Sequence, residues 1–307
     1  MHPLIADLIA NGPVLTDGAW GTQLQARGLG LGEFPDVWNL SHPDQVKAVA
    51  RSYVEAGSRV ILTNTFGANR IRLADHATSA LELIREINQH GVMLSKWAAQ
   101  NQALVFASIG PTGKLLLSGD VTPEEVYAAF LEQAQALADA GADALVVESM
   151  GDIAEAKLAV AAAKSTHRPV VGCMVYDSGA HRDRTMMGTT PESDAAALAD
   201  AGADVIGINC GRGIADFPAL CRRMRAVTDL PLWMKANAGL PELVDGKAFY
   251  RTTPTDFAAF MPALVDAGAQ FVGGCCGSSP DFIRETFETL RSLPRTQSRT
   301  GHQTRSS

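Results

Sequence analysis

Three of the five cysteines in this 307-residue chain fall where they could act together: Cys210 closes GINC at 207–210, and Cys275 and Cys276 stand side by side in GGCCG. Three thiolates are a soft donor set for zinc, with Zn–S bonds of about 2.3 Å, and a catalytic zinc keeps three protein ligands and one open position. An ion carrying three thiolates has a net charge of about −1, which makes it poor at activating water but leaves an added thiolate electron-rich. Such a site activates a thiol for alkyl transfer. Cys173 and Cys221 stand alone and read as packing residues. An odd cysteine count does not describe a disulfide framework. The seven histidines show no HxH or HExxH spacing and none is assigned to the metal.

The elements that must position these thiols are short apolar runs alternating with alanine-rich amphipathic stretches, a pattern of parallel strands and helices. Strands are expected at 13–17, 59–64, 103–109, 144–148, 169–175, 204–210, 231–236 and 270–275. Helices are expected at 43–56, 79–100, 123–140, 151–166, 191–201, 213–227, 254–267 and 281–292. Eight strand–helix units predict a single α/β domain, a closed (β/α)8 TIM barrel over residues 1–293. A short helix over 2–11 would cover its bottom, and 294–307 would form a disordered tail. Four helices end alike, in EAGSRVILTN at 55–64, DAGADALVVES at 139–149, DAGADVIGINC at 200–210 and DAGAQFVGGCC at 266–276. These repeats read as strands two, four, six and eight. Barrel active sites sit at strand C-terminal ends, and the residues at those four ends are Asn64, Glu148, Cys210 and Cys275. The zinc site is thereby expected at the C-terminal ends of strands 6 and 8. The long connections 18–42, 110–122, 176–190 and 237–253 leave the ends of odd strands and read as substrate loops.

The segments DGAWGTQLQ at 17–25, TNTFGAN at 63–69, GINC at 207–210, NAGLP at 237–241 and GGCCG at 273–277 resemble the zinc-dependent homocysteine S-methyltransferases. That family includes betaine–homocysteine methyltransferase, S-methylmethionine–homocysteine methyltransferase and the homocysteine-binding module of cobalamin-dependent methionine synthase. The resemblance runs from about 13 to 292. It implies a (β/α)8 barrel with zinc on Cys210, Cys275 and Cys276, homocysteine sulfur as fourth ligand and methionine as product. It also implies that Asp17, with Gly18 beside it, and Glu148 contact the substrate amino group. The chain ends about 30 residues after GGCCG, so the C-terminal extension through which animal betaine enzymes assemble is not expected. Neither is a folate- or cobalamin-binding domain. The assembly state, a homo-oligomer included, is left open.

The donor is read from aromatics on the loops after strands one and two. Trp20, Phe34, Trp38 and Phe66 could face a quaternary ammonium or sulfonium, each contact contributing about 0.5–2 kcal/mol. Betaine or a related onium compound is the favoured donor, with S-methylmethionine as an alternative. A second alternative is a homocysteine-binding subunit served by a separate corrinoid or folate protein. A third class, an acid–base lyase, would use Asp17, Asp36 and Glu148 with structural cysteines. A net charge of −7 provides no basic footprint for nucleic acid or anionic lipid. The apolar runs are too short for a membrane span, and Asp7 interrupts any secretion signal. A cytoplasmic setting is expected.

Overall fold

The computed structural model describes residues 1–30, 32–244 and 247–293; the expected tail at 294–307 lies outside the described residues. Eight parallel strands form one sheet: β1 Val14–Leu15, β2 Val60–Ile61, β3 Leu104–Ile109, β4 Ala144–Met150, β5 Val170–Met174, β6 Val205–Cys210, β7 Leu232–Ala236 and β8 Ala269–Gly274. Each is followed by helix, and the spatial order β1-β8-β7-β6-β5-β4-β3-β2 is that of a (β/α)8 barrel. No helix among the described residues is long and apolar enough to cross a membrane.

β1 and β2 are shorter than the apolar runs 13–17 and 59–64, because among the described residues no strand ladder joins them. The seam is closed by other means. Arg59 N–H donates to Leu15 C=O at 2.9 Å, Ser58 Oγ–H donates to Thr16 C=O at 3.2 Å, and Leu62 N–H donates to the Asp17 carboxylate at 2.7 Å. On its other side β1 is paired with β8. That approach needs Gly273, since a Cβ there would lie 2.0 Å from Thr16 Oγ1. The glycines before the cysteine pair therefore serve tight packing.

The expected helix at 254–267 is two helices, Pro254–Ala258 and Met261–Asp266. Pro262 supplies no N–H for a continuous ladder and is tolerated only in a first turn. The expected helix at 79–100 begins as a 3-10 segment, Thr78–Leu83, before Ile84–Ala99. The loops also hold structure not anticipated from sequence, including the helix Arg70–His76 and an antiparallel hairpin, Glu242–Val244 with Lys247–Phe249.

The lower barrel is filled by apolar side chains from all eight strands, from Val14 to Phe271, with the Trp233 ring between Phe106 and Phe271 at 6.0 and 5.3 Å. Ile5 and Leu8 of the helix Pro3–Ile9 join this cluster and close the bottom. Cys173 lies within it and is fully buried, as its packing role requires. Cys221, on the helix after β6, is also buried.

Candidate active site

Strand side chains alternate sides, so the residue two positions beyond an inward-facing one faces inward one layer higher. Above Phe106, Val146 and Trp233 stand Ser108, Glu148 and Lys235, and β6 and β8 contribute Asn209 and Cys275. Apolar filling thus gives way at one level to a polar floor. Lys235 is fully buried and ion-paired with Asp17. Burial alone would lower its pKa, but Asp17, and then Glu148 and Cys275, hold it above the ordinary lysine range. Ser108 Oγ–H donates to Glu148 Oε1 at 2.5 Å, and Asn209 Nδ2 lies 3.4 Å from Glu148 Oε2. Burial pushes the Glu148 carboxyl up to about 7, against the pull of Lys235.

At the ends of β6 and β8, the sulfurs of Cys210, Cys275 and Cys276 lie within 4.8 Å of one another. Cys210 and Cys275 approach to 3.2 Å. Cys210 takes a φ of 62° and Ser149, at the end of β4, one of 61°, a conformation costly for residues with a Cβ and concentrated at functional sites. Asn209 ties the two turns together: its Oδ1 accepts from Ser149 N–H at 2.7 Å and its Nδ2 donates to Ser149 Oγ at 2.7 Å. The same Nδ2 reaches toward Cys210 Sγ at 3.5 Å and Cys275 Sγ at 3.9 Å. Cys276 is drawn down as a thiolate accepting from Cys210 and Cys275, whereas Cys210 is pushed up by the same sharing.

A cavity of about 620 Å³ opens above this floor, lined by all three cysteines, Glu148 and Lys235 together with the loops after β1 and β2. That volume is in the range that holds small-molecule ligands. Gly18, Trp20, Asn64 and Phe66 also line it, but several are already engaged. Asn64 donates to Pro35 C=O at 2.8 Å and Asn39 Oδ1 at 3.1 Å, so its amide pins the first loop. The face of Phe66 carries the Arg72 guanidinium, 5.7 Å from the ring centroid. Trp20 Nε1–H donates to Asp17 Oδ2 at 2.8 Å.

Two expected contacts are not brought to the cavity. Trp38 is buried in a short helix, its Nε1–H donating to Glu33 at 3.2 Å and its ring stacked on His42 at 4.3 Å. It packs the loop and does not face a donor. Asp17 lies under the cavity wall with both oxygens occupied, one by Lys235 and the other by Trp20 Nε1–H and Leu62 N–H. A substrate ammonium would have to displace Lys235 to reach it. The acid–base reading loses Asp17 for the same reason. The helix that follows β4 is capped by Asp152 through Ala154 N–H, which leaves Glu148 no capping role there.

The sequence reading missed Lys235, Asn209 and Ser108. A lysine inside an apolar strand two residues beyond Trp233 was the available signal, because a buried charge requires a partner.

Asp36, whose carboxylate accepts from Gly67 N–H at 2.9 Å, is buried in the first loop, and burial pushes its pKa up to about 7. The folded chain thus keeps a proton that the unfolded chain releases near pH 4, and stability falls as pH rises from there to about 7. Asp36→Asn lacks that penalty. Its stability relative to wild type is expected to rise by about 3 kcal/mol between pH 5 and pH 8, measured by denaturant unfolding at each pH. A gap constant with pH would contradict the assignment.

A family model described as homocysteine S-methyltransferase matches residues 14–290. The chain belongs to the homocysteine S-methyltransferase family. It is 30% identical over 310 residues to a methionine synthase of Mycobacterium tuberculosis, covering 95% of this chain and 26% of that one. To the methionine synthase of Mycobacterium leprae it is 32% identical over 301 residues, 92% of this chain and 24% of the other. The chain thus spans about a quarter of the length of these relatives. Among solved structures, the metallated form of the homocysteine methyltransferase MmuM from Escherichia coli superposes with a TM-score of 0.77 at 26% identity, covering 95% of this chain and 100% of that one. Family membership makes the chain an enzyme of the methyltransferase class.

Proposed function

We propose that this chain transfers a methyl group to the thiol of homocysteine, giving methionine, at a zinc ion held by Cys210, Cys275 and Cys276. The observation that carries the reading is the meeting of three sulfurs within 4.8 Å at the wall of a small-molecule cavity. The donor set fits the ion: three soft sulfurs within 4.8 Å of one another would hold zinc and leave a place for an added thiol. The metallated MmuM structure supports a metal at this fold. Bound there, zinc lowers the pKa of an added thiol while leaving its thiolate nucleophilic.

The chain's own groups orient the reactants. Asn209 Nδ2, aimed at Cys210 and Cys275, offsets thiolate charge as an outer-shell donor. Lys235 neutralises Asp17 and leaves Glu148 as the carboxylate facing the cavity floor. Glu148 holds the homocysteine ammonium and takes no part as a base. A charge-assisted hydrogen bond contributes about 1.5–3 kcal/mol, so Glu148→Gln is expected to lower kcat/KM for homocysteine by about 10- to 150-fold. Metal content should stay normal. On an analogue lacking the amino group the variant should match wild type; an equal loss on both substrates would overturn the role.

The donor in this reading is a small onium compound such as betaine or S-methylmethionine, for which a cavity of about 620 Å³ leaves room beside homocysteine. A second reading, a homocysteine-binding module served by a separate corrinoid or folate protein, is favoured by the match to a quarter-length segment of methionine synthases. Incubating the purified, metal-loaded chain with homocysteine and a panel of free donors separates the two. Methionine from any small donor supports the first; methionine only from a methylated corrinoid or folate partner supports the second. Free thiols of this kind persist in a reducing, cytoplasmic setting.

A further inference from the structure

Arg72 sits on the helix Arg70–His76 after β2 and lines the cavity. Its backbone N–H is used by the Asn69 cap at 2.9 Å, but among the described residues its guanidinium makes no hydrogen bond or ion pair. The charges flanking it on and beside this helix are matched outside the cavity, Arg70 with Glu132 at 2.7 Å and Asp75 with Lys114 at 2.6 Å. Glu33, which lines the cavity with Arg72, accepts from Gly30 N–H and Trp38 Nε1–H, both at 3.2 Å. Asp36 and Glu155, the buried carboxylates whose charge reaches Arg72, are bonded elsewhere. Asp36 Oδ1 accepts from Gly67 N–H at 2.9 Å, and Glu155 Oε1 accepts from Thr112 N–H at 2.7 Å and from Thr112 Oγ1–H at 2.6 Å.

The guanidinium is nonetheless held in place. It lies over the Phe66 ring at 5.7 Å, and a Cβ on Gly67 would come within 3.2 Å of its Cδ and Nε. Stacking on a ring fixes the plane of a fork of donors that matches a carboxylate bidentately. A half-buried, oriented guanidinium with no partner among the described residues, in a ligand cavity, has the properties of an anion-binding group.

We propose that Arg72 is a specificity residue of this cavity, taking the carboxylate of a bound small molecule through a forked pair of hydrogen bonds. The proposal rests on the reading of the cavity as a methyl-transfer site, in which a zwitterionic donor and homocysteine each offer a carboxylate. It also alters the place of Phe66, one face of whose ring supports the guanidinium.

Titration calorimetry on the metal-loaded protein tests this with two pairs of probes: betaine against choline, and homocysteine against 3-aminopropane-1-thiol. In one pair wild type should bind the carboxylate-bearing member about 10- to 150-fold tighter, the range for a hydrogen bond to a charged group. Arg72→Gln should abolish that preference and leave the affinity of the carboxylate-free member unchanged, which also shows that the variant is folded. Arg72→Lys, with charge but no fork, should keep part of the preference. The pair that responds identifies whose carboxylate is read. A preference intact in Arg72→Gln, or absent from wild type in both pairs, overturns the proposal while leaving the methyl-transfer reading standing. Wild type that binds none of the four probes overturns both.

Discussion

Replacing Cys210, Cys275 or Cys276 singly with Ala is expected to abolish both metal binding and methyl transfer, whereas Cys173→Ala and Cys221→Ala keep one zinc per chain. The sulfurs that matter lie within 4.8 Å of one another at the ends of β6 and β8. Cys173 is enclosed among apolar side chains of the lower barrel, and Cys221 sits on the outer helix layer with its thiol toward Ala267 C=O at 3.6 Å. A site with two thiolates and a gap loses both a ligand and the charge that makes a bound thiol nucleophilic. The barrel should stay folded in all five variants, because its core is built from apolar strand residues and not on the ion. Elemental analysis with circular dichroism checks this. Retention of metal by Cys210→Ala together with its loss from Cys173→Ala would refute the site.

Lys235→Met should cost about 3–5 kcal/mol of stability, the penalty for leaving one member of a buried ion pair without its partner. Methionine fills similar volume, so packing is little changed and the loss reports the stranded Asp17 charge. Asp17 is 0% exposed and Lys235 1%, so water does not reach either group to make good the loss. The double variant Asp17→Asn/Lys235→Met should recover most of the stability, since an amide in that place is neutral and still accepts from Leu62 N–H. Denaturant unfolding of the two variants decides it. A single variant as destabilised as the double would mean that the pair acts through shape and not charge.

Much of the architecture was legible because parallel barrel strands are buried on both faces and write themselves as apolar runs. The helix endings before β2, β4, β6 and β8 repeat one motif, and counting them located Glu148, Cys210 and Cys275 on one rim. Ser108 and Lys235 were missed because attention to the four repeated strand ends passes over β3 and β7, and Asn209 because it stands one residue before the end of β6. Trp38 was misplaced for a different reason: an aromatic on a long loop carries no mark that tells a cavity wall from a loop core, and here a hydrogen bond to Glu33 turns the ring inward. The hairpin at 242–249 had no signal as strong as an apolar run, since its side chains Leu243 and Phe249 are largely exposed.

The seam between β1 and β2 has a consequence for how such an enzyme can change. Where neighbouring strands elsewhere in the wall are joined by backbone bonds indifferent to side-chain identity, here a carboxylate takes the place of a rung, through Leu62 N–H, and the same carboxylate anchors the lysine in the floor of the cavity. Architecture and chemistry therefore share one residue. A lineage or a designer seeking a new acceptor can vary Glu148, which closes nothing, but altering Asp17 loosens the barrel stave and unbalances the floor in one stroke. Position 17 is a point where adaptability is traded for closure, and new specificity in this scaffold has to come from its far rim and its loops.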